Sequence, residues 1–526
     1  MDSQRSLWAW GLESQEPTRE QLQQAASRLA AKYKVNLVPA APPGSDVIEL
    51  RPPRARVPRA LAAFTSTGTR TRAFHSYGHS FRDRVRKFHG SYPNPVDAVA
   101  APRNEDELSA VLDWCSSKGY AALPFGGGSS VVGGVEPPQS VPGAVSVDMS
   151  SMGQVLEGDT VSRAARIQAG TFGPAIERHL KPHGLTLRHF PQSFEFSTLG
   201  GWIATRSAGH YATNQTHIED FVKSVRMVTP SGVWASRRLP GSGAGPDPNR
   251  YVAGSEGILG VITEAWVRVQ ASPRRRASAG VEFPSFAQAA AAARAIVQTK
   301  LWPANCRVLD EGEAQVAAGM DGSRALLVLG FESADVPQDG PMQVALDIAR
   351  ENGGMQNAGD KGAARGQDAV ALWRRSFLEM PFVWNTLLGL GLINDTFETA
   401  VTWDRWSQFH EQVRAATFDA LRRVCGGGMV TCRFTHLYPD GPAPYYTFTG
   451  LGKQGSEMEM WAEVKAAASE AVISSGGTIT HHHAVGRDHR PWYDRERPDL
   501  FAGALRAAKK ALDPIGVMNP GVLIEP

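Results

Sequence analysis

A chain of 526 residues is too long for a lone binding module, and at one to two hundred residues per domain it predicts three or four structural units. Its composition, 42% hydrophobic and 20% charged, excludes a disordered protein, and a net charge of +3 gives no argument for a nucleic-acid partner. Glycine and proline, 53 and 35 residues, exceed their usual share, so many backbone positions must serve turns and close approaches.

The charge is unevenly spread. Residues 1–90 hold 15 Lys/Arg against 7 Asp/Glu, which reads either as an ordinary solvated surface or as a basic face toward phosphorylated or membrane-borne substrates. Cys115, Cys306, Cys425 and Cys432 have neither CxxC spacing nor the density of a disulfide scaffold and are expected to be reduced and buried. The start, MDSQRSLWAWGLESQ, lacks the apolar core of a signal peptide, and GVLIEP is not a peroxisomal address. The best apolar run, PFVWNTLLGLGLI, is interrupted by Asn385 and Thr386, so no transmembrane segment and a cytoplasmic location are expected.

In chain order, residues 17–33 have helical spacing with an acidic first turn, and 39–60 read as an extended, proline- and arginine-rich connector within an accessory region ending at residue 90. VDAVAAP then predicts a strand, NEDELSAVLDWCSSKG a capped helix ending at glycine, and YAALPFGGGSS a strand running into a glycine-rich turn. VKSVRMVTPSGVWAS predicts two strands around a Pro-Ser-Gly turn, and GVITEAWVRVQ one more. A unit over 91–272 is thus α+β and glycine-rich. After the Pro-Arg-Arg-Arg boundary at 273–276, SFAQAAAAARAIVQTK predicts a helix with a serine cap, ALLVLGFES a strand and WDRWSQFHEQVRAATFDALRRV a long helix, giving a second α+β unit over 273–470. The segment 471–526 ends in a helix stopped by Pro514 and a turn on Asn519, Pro520 and Gly521.

Three segments of the first half carry a common chemistry. In PFGGGSSVVGG, three glycines follow an apolar strand, so successive N–H groups can converge on an anion while two hydroxyls add donors, although such a loop also serves as a plain tight connection. No GK[ST] follows it, and the nearest string to GxGxxG, GLGLIN, has Asn394 in place of the last glycine. FPQSFEFSTLGGWIATRSAGH and AGSEGILGVITEAWV are equally crowded with small residues, and a long cofactor lying across a domain needs several such places of close backbone approach.

These segments resemble the flavin-contacting segments of the vanillyl-alcohol-oxidase, or PCMH-type, FAD-binding fold. Their spelling is most similar to the alkyl-dihydroxyacetonephosphate synthase family and its bacterial FAD-binding oxidoreductase relatives, from WAWG and SFRDRVRKFHG through to GVMNPGVLI. The resemblance implies an α+β protein: a two-subdomain FAD-binding domain, a substrate (cap) domain with an antiparallel sheet, and a C-terminal segment returning to the FAD domain. It places FAD contacts at Pro124, Phe125, Gly126, Gly127, Gly128, Ser129 and Ser130, and at Gln192, Ser193, Phe194, Glu195, Phe196, Ser197 and Thr198. Further contacts would fall at Thr205, Arg206, Ser207 and Ala208, and at Glu256, Gly257, Ile258, Leu259, Gly260, Val261 and Ile262. The glycine loop has no histidine or cysteine where some relatives attach flavin, which implies non-covalent FAD.

The second half carries the substrate chemistry. His481, His482 and His483 would alternate along an extended segment, so at most two share a side; they could be a polar strand end, a metal site or neutral imidazoles beside a reacting carbon. The resemblance favours the last and aligns Tyr445 with the family's active-site tyrosine, a candidate acid/base; Tyr446 reads as a core aromatic. Arg307 matches an arginine the family uses near its substrate. The family's substrate-phosphate arginine falls near Trp384, with Arg374 and Arg375 out of register, so a fixed cation is missing there. Related metal-assisted dehydrogenases carry an HxGDGNxH strand and a GEHG turn; here HLYPDGPA keeps His436 but has Ala443 at the second histidine, and His482 replaces the glutamate, so no metal is expected.

Two activities follow. The first resembles the synthases: the acyl group of acyl-dihydroxyacetonephosphate is exchanged for a long-chain alcohol while the flavin acts as a covalent electron sink, in ether-lipid synthesis. The second is an FAD-linked oxidase or dehydrogenase of an alcohol or hydroxyacid, with Trp384 marking a less polar pocket. A flavin-binding sensor without turnover fits the histidine and tyrosine residues least. Expected partners are a small-molecule or lipid-like substrate and no nucleic acid, with homodimerisation and peripheral membrane contact left open.

Overall fold

The computed structural model describes residues 4–44, 47–355 and 379–525. Arg374 and Arg375 lie outside the described residues.

The first sheet is built from β1 (Thr65–Ser66), β2 (Ala98–Ala100), β3 (Ala121–Phe125) and β4 (Ala144–Asp148) in the order β1-β2-β4-β3, with β4 parallel to both β2 and β3. The helix Glu105–Lys118 carries the chain from β2 to β3, which lie parallel on either side of β4. The Asn104 side chain accepts the Glu107 N–H at its start, Gly119 ends it in the left-handed region, and Leu108, Val111, Leu112 and Cys115 form its buried stripe.

The second sheet is antiparallel: β5 (Val155–Asp159), β6 (Ala164–Gln168) and, after the short β7 (Leu185–Thr186), β8 (Val222–Thr229), β9 (Gly232–Ala235) and β10 (Val261–Arg268), in the order β5-β6-β10-β8-β9. β11 (Gln270–Ala271) pairs with β7 at the exit of this half.

The third sheet comprises β12 (Arg275–Phe283), β13 (Asn305–Leu309), β14 (Ala325–Ser333), β15 (Leu392–Glu398), β16 (Gly428–Leu437) and β17 (Pro442–Leu451), in the order β12-β14-β13-β16-β17-β15. Every neighbouring pair is antiparallel. One face packs against the helices Phe286–Gln298, whose N-cap is Ser285, Trp406–Cys425 and Glu457–Ser474.

The two ends of the chain do not form separate bodies. Trp8, Phe81 and Phe88 are part of the core of the third sheet, with Phe81 stacked 5.9 Å from Trp461. Residues 517–519 lie along β3, where Ala122 donates to the Val517 carbonyl and accepts from the Asn519 N–H. Cys115, Cys306 and Cys432 are buried thiols, but Cys425 is half-buried, because it is the last helical residue before the chain turns outward at Gly426.

Candidate active site

A cavity of about 1860 Å³, its open mouth included, lies between the small-residue loops of the first half and the third sheet. Pro124 to Ser130 all line it. The glycines there are demanded by packing: a Cβ on Gly127 would fall 1.7 Å from the Phe196 carbonyl oxygen, and Gly128 has φ +67°. Backbone therefore forms the wall, with the Ser129 and Ser130 side chains beyond it.

The other predicted loop residues divide. Gln192, Ser193, Ser197, Thr198, Thr205, Ser207 and Ala208 line the cavity. Phe194, Glu195 and Phe196 form a 3-10 turn in which Phe194 stacks on Trp202, Glu195 is exposed and Phe196 carries the Arg5 guanidinium at 4.4 Å. Arg206 ends a helix in the left-handed region and pairs with Glu219 at 2.6 Å. Glu256, Gly257, Gly260, Val261 and Ile262 line the cavity, while Ile258 and Leu259 turn into the core. The Glu256 carboxylate accepts the Val485 and Gly486 N–H groups, each at 2.8 Å, and burial pushes its pKa up to about 7.

Opposite the loops, strand register assembles the polar face. Glu398 on β15 pairs with Tyr445 on β17, and Tyr445 pairs with Arg433 on β16, so three side chains distant in sequence stand side by side. A register shift between Phe434 and His436 brings Thr435 and His436 both to the cavity, as a bulge does by re-aiming one side chain. Arg307 on β13 lines the same wall. The Tyr445 hydroxyl donates to Thr396 Oγ1 at 3.1 Å, its ring lies 4.1 Å from the Arg433 guanidinium, and burial raises its pKa.

The histidine triplet follows a chain of bends rather than a strand, because all three backbone N–H groups converge on the buried Glu398 carboxylate: His481 at 2.5 Å, His482 at 3.1 Å and His483 at 2.8 Å. Burial opposes charge on Glu398, yet its three histidine neighbours, whose backbone N–H groups it accepts, and the Thr480 hydroxyl outweigh that and hold it below the usual carboxylate range. Burial lowers all three imidazoles, His482 to about 3, so they are neutral at physiological pH. His482 and His483 line the cavity; His481 turns away to the Tyr438 hydroxyl at 2.7 Å.

His436, His481 and His482 bring ring nitrogens within 4.8 Å of one another, a closer set than the motif comparison implied. Both nitrogens of His481 are already engaged, by Tyr438 and by His482 Nδ1 at 2.9 Å. Dialysis of the FAD-loaded protein against EDTA is therefore expected to leave turnover unchanged; loss restored by zinc would assign a metal to this trio.

Trp384 also lines the cavity, fixed by its neighbour Asn385, whose side chain bonds both the N–H and the carbonyl of Trp10. Trp10, His79 and Arg84, from the region read as accessory, line the cavity as well, as do Thr396, Arg433, Thr435 and His436. The spacing of Arg433 and Thr435, two apart on one strand, is the one local signal for that pair; His436 stands out only against the metal motif, and nothing near Thr396 marks it.

The wall suits a dinucleotide carrying a pyrophosphate. Glu256 is the only carboxylate among the described residues that border the cavity, and two N–H groups occupy it, while the glycine loop offers backbone without side chains. Such a wall, faced by neutral imidazoles, a tyrosine and arginines, defines an FAD-dependent enzyme of the PCMH-type fold. Residues 96–236 match the FAD binding domain and 272–523 the C-terminal domain of FAD linked oxidases. The chain belongs to the alkyldihydroxyacetonephosphate synthase family. It is 30% identical to the Dictyostelium discoideum synthase, over 86% of this chain and 77% of that one, and 29% identical to the Trypanosoma brucei brucei synthase over the same shares. A solved alkyldihydroxyacetonephosphate synthase superposes with TM-score 0.79 at 27% identity, covering 94% of this chain and 90% of that one. Glycolate oxidase subunit GlcD of Bacillus subtilis is 27% identical over 82% of this chain and 89% of its own length.

Proposed function

We propose that the protein exchanges the acyl group of acyl-dihydroxyacetonephosphate for a long-chain alcohol, with non-covalent FAD held by the loops at 124–130, 192–198, 205–208 and 256–262. The observation that carries this reading is the joint presence of Tyr445, His482 and His483 on one cavity wall with Arg307 and Arg433. When bound, the flavin supplies an electron sink for the reacting carbon. Tyr445, kept protonated by burial, donates from its hydroxyl to the departing carboxylate. Neutral His482, whose Nδ1 faces His481 and Glu398, has Nε2 for the proton of the entering alcohol, and His483 completes the wall. Arg307 positions the anion, and His481 holds the triplet in place through Tyr438.

The division that goes with this reading is an N-terminal region over 1–90, an FAD domain over 91–272, a cap domain over 273–470 and a returning segment over 471–526. No helix among the described residues is long and apolar enough to cross a membrane. The lipid-like substrate would be met by peripheral contact through the basic N-terminal region, in a cytoplasmic protein and as a homodimer.

The decisive assay follows labelled fatty alcohol into acyl-dihydroxyacetonephosphate. Incorporation without bleaching of the oxidised flavin spectrum is expected. Anaerobic bleaching by a simple alcohol or hydroxyacid, with no incorporation, would replace the synthase reading by a dehydrogenase.

A further inference from the structure

Arg84 lies on the helix Phe81–Phe88, only 3% exposed, and borders the cavity. Its guanidinium sits 5.2 Å from the Trp384 ring and 5.7 Å from the Phe81 ring, so two aromatic side chains hold the planar group. One Nη donates to the Asn394 carbonyl at 3.3 Å, and its buried Nε has no partner among the described residues.

Two acids act on it through space, Asp395 and Asp83, but among the described residues neither is within ion-pair distance of it. Asp395 accepts from Trp461 Nε1 at 2.8 Å and Lys465 Nζ at 3.2 Å, and Asp83 accepts the Gly78 N–H at 3.1 Å. A buried cation held in no direct ion pair is costly, and it borders a cavity in which an oxyanion can resolve that cost. Burial lowers its pKa only to about 10, so the charge persists at neutral pH. Its neighbours Trp384 and Asn394 belong to the cap half, and this puts the cation on the substrate side.

We propose that Arg84 joins Arg307 in holding the phosphate of the substrate, as an anchor that supplies from the N-terminal helix the cation that the chain lacks at Trp384. The proposal rests on the synthase reading for the identity of the anion, not for the anchor itself. A guanidinium fork offers two parallel N–H donors to a phosphate.

The test measures binding of dihydroxyacetone phosphate, dihydroxyacetone and glycolate to the FAD-loaded protein, by the perturbation of its flavin spectrum, in wild type, Arg84→Met and Arg84→Lys. Flavin content and melting temperature serve as folding controls. Arg84→Met is expected to weaken dihydroxyacetone phosphate on the order of tenfold or more and to leave dihydroxyacetone unchanged, with Arg84→Lys between. Equal binding of the phosphate by wild type and Arg84→Met would overturn the anchor and leave the synthase reading intact. If wild type prefers glycolate and Arg84→Met loses it, the anchor stands and the synthase reading falls. A wild type that does not distinguish dihydroxyacetone phosphate or glycolate from dihydroxyacetone overturns both. Should Arg84→Met fail to fold, Arg84→Lys decides: undiminished affinity counts against the anchor, and a several-fold loss supports it.

Discussion

Tyr445→Phe is expected to lower kcat by about 10²–10⁴-fold while flavin content and melting temperature stay near wild type. The large kinetic effect follows from removing the single hydroxyl that can protonate the leaving carboxylate in this reading. The small structural effect follows from what remains. The ring keeps its place on β17 between Glu398 and Arg433, and only the bond to Thr396 Oγ1 is lost, about 0.5–1.5 kcal/mol. His482→Ala should likewise lower turnover with the yellow colour retained, since its backbone N–H still reaches Glu398. Steady-state kinetics at matched flavin occupancy checks both; unchanged kcat in the two variants removes the catalytic assignment.

Gly127→Ala should yield protein that is colourless and less stable. The new methyl would meet the Phe196 carbonyl oxygen at 1.7 Å and its carbon at 2.6 Å, a backbone obstacle that cannot rotate aside. The two loops must separate, which overpacking data put at about 1–3 kcal/mol and which displaces the wall proposed for the pyrophosphate. Gly243→Ala is the control, because nothing lies within 4 Å of a Cβ there. Flavin absorbance per protein and thermal melting read the result; full occupancy in Gly127→Ala would show that the contact between the loops is dispensable for the cofactor.

What could be read from the sequence was what local pattern encodes. The caps at Asn104 and Ser285, the strand into the glycine loop and the paired strands around Pro230 to Gly232 each rest on neighbours within a few residues. The polar face of the third sheet was not readable, because the adjacency of Glu398, Tyr445 and Arg433 is a matter of non-local register. Three neighbouring histidines suggested an extended segment; a buried glutamate 83 residues upstream of His481 bends them instead, and no local property of the triplet encodes that partner. Trp384 read as the loss of a cation, whereas Arg84, 300 positions earlier in the chain, stands beside it.

The strand-like contact between residues 517–519 and β3 has a consequence for biosynthesis. Asn519 donates to the carbonyls of Gly134 and Glu256, tying two cavity loops together, and Trp10 contributes to the same enclosure from the other end. A product cut short before that asparagine codon lacks the tie between the two loops, so such truncations should behave as nulls rather than as partial losses.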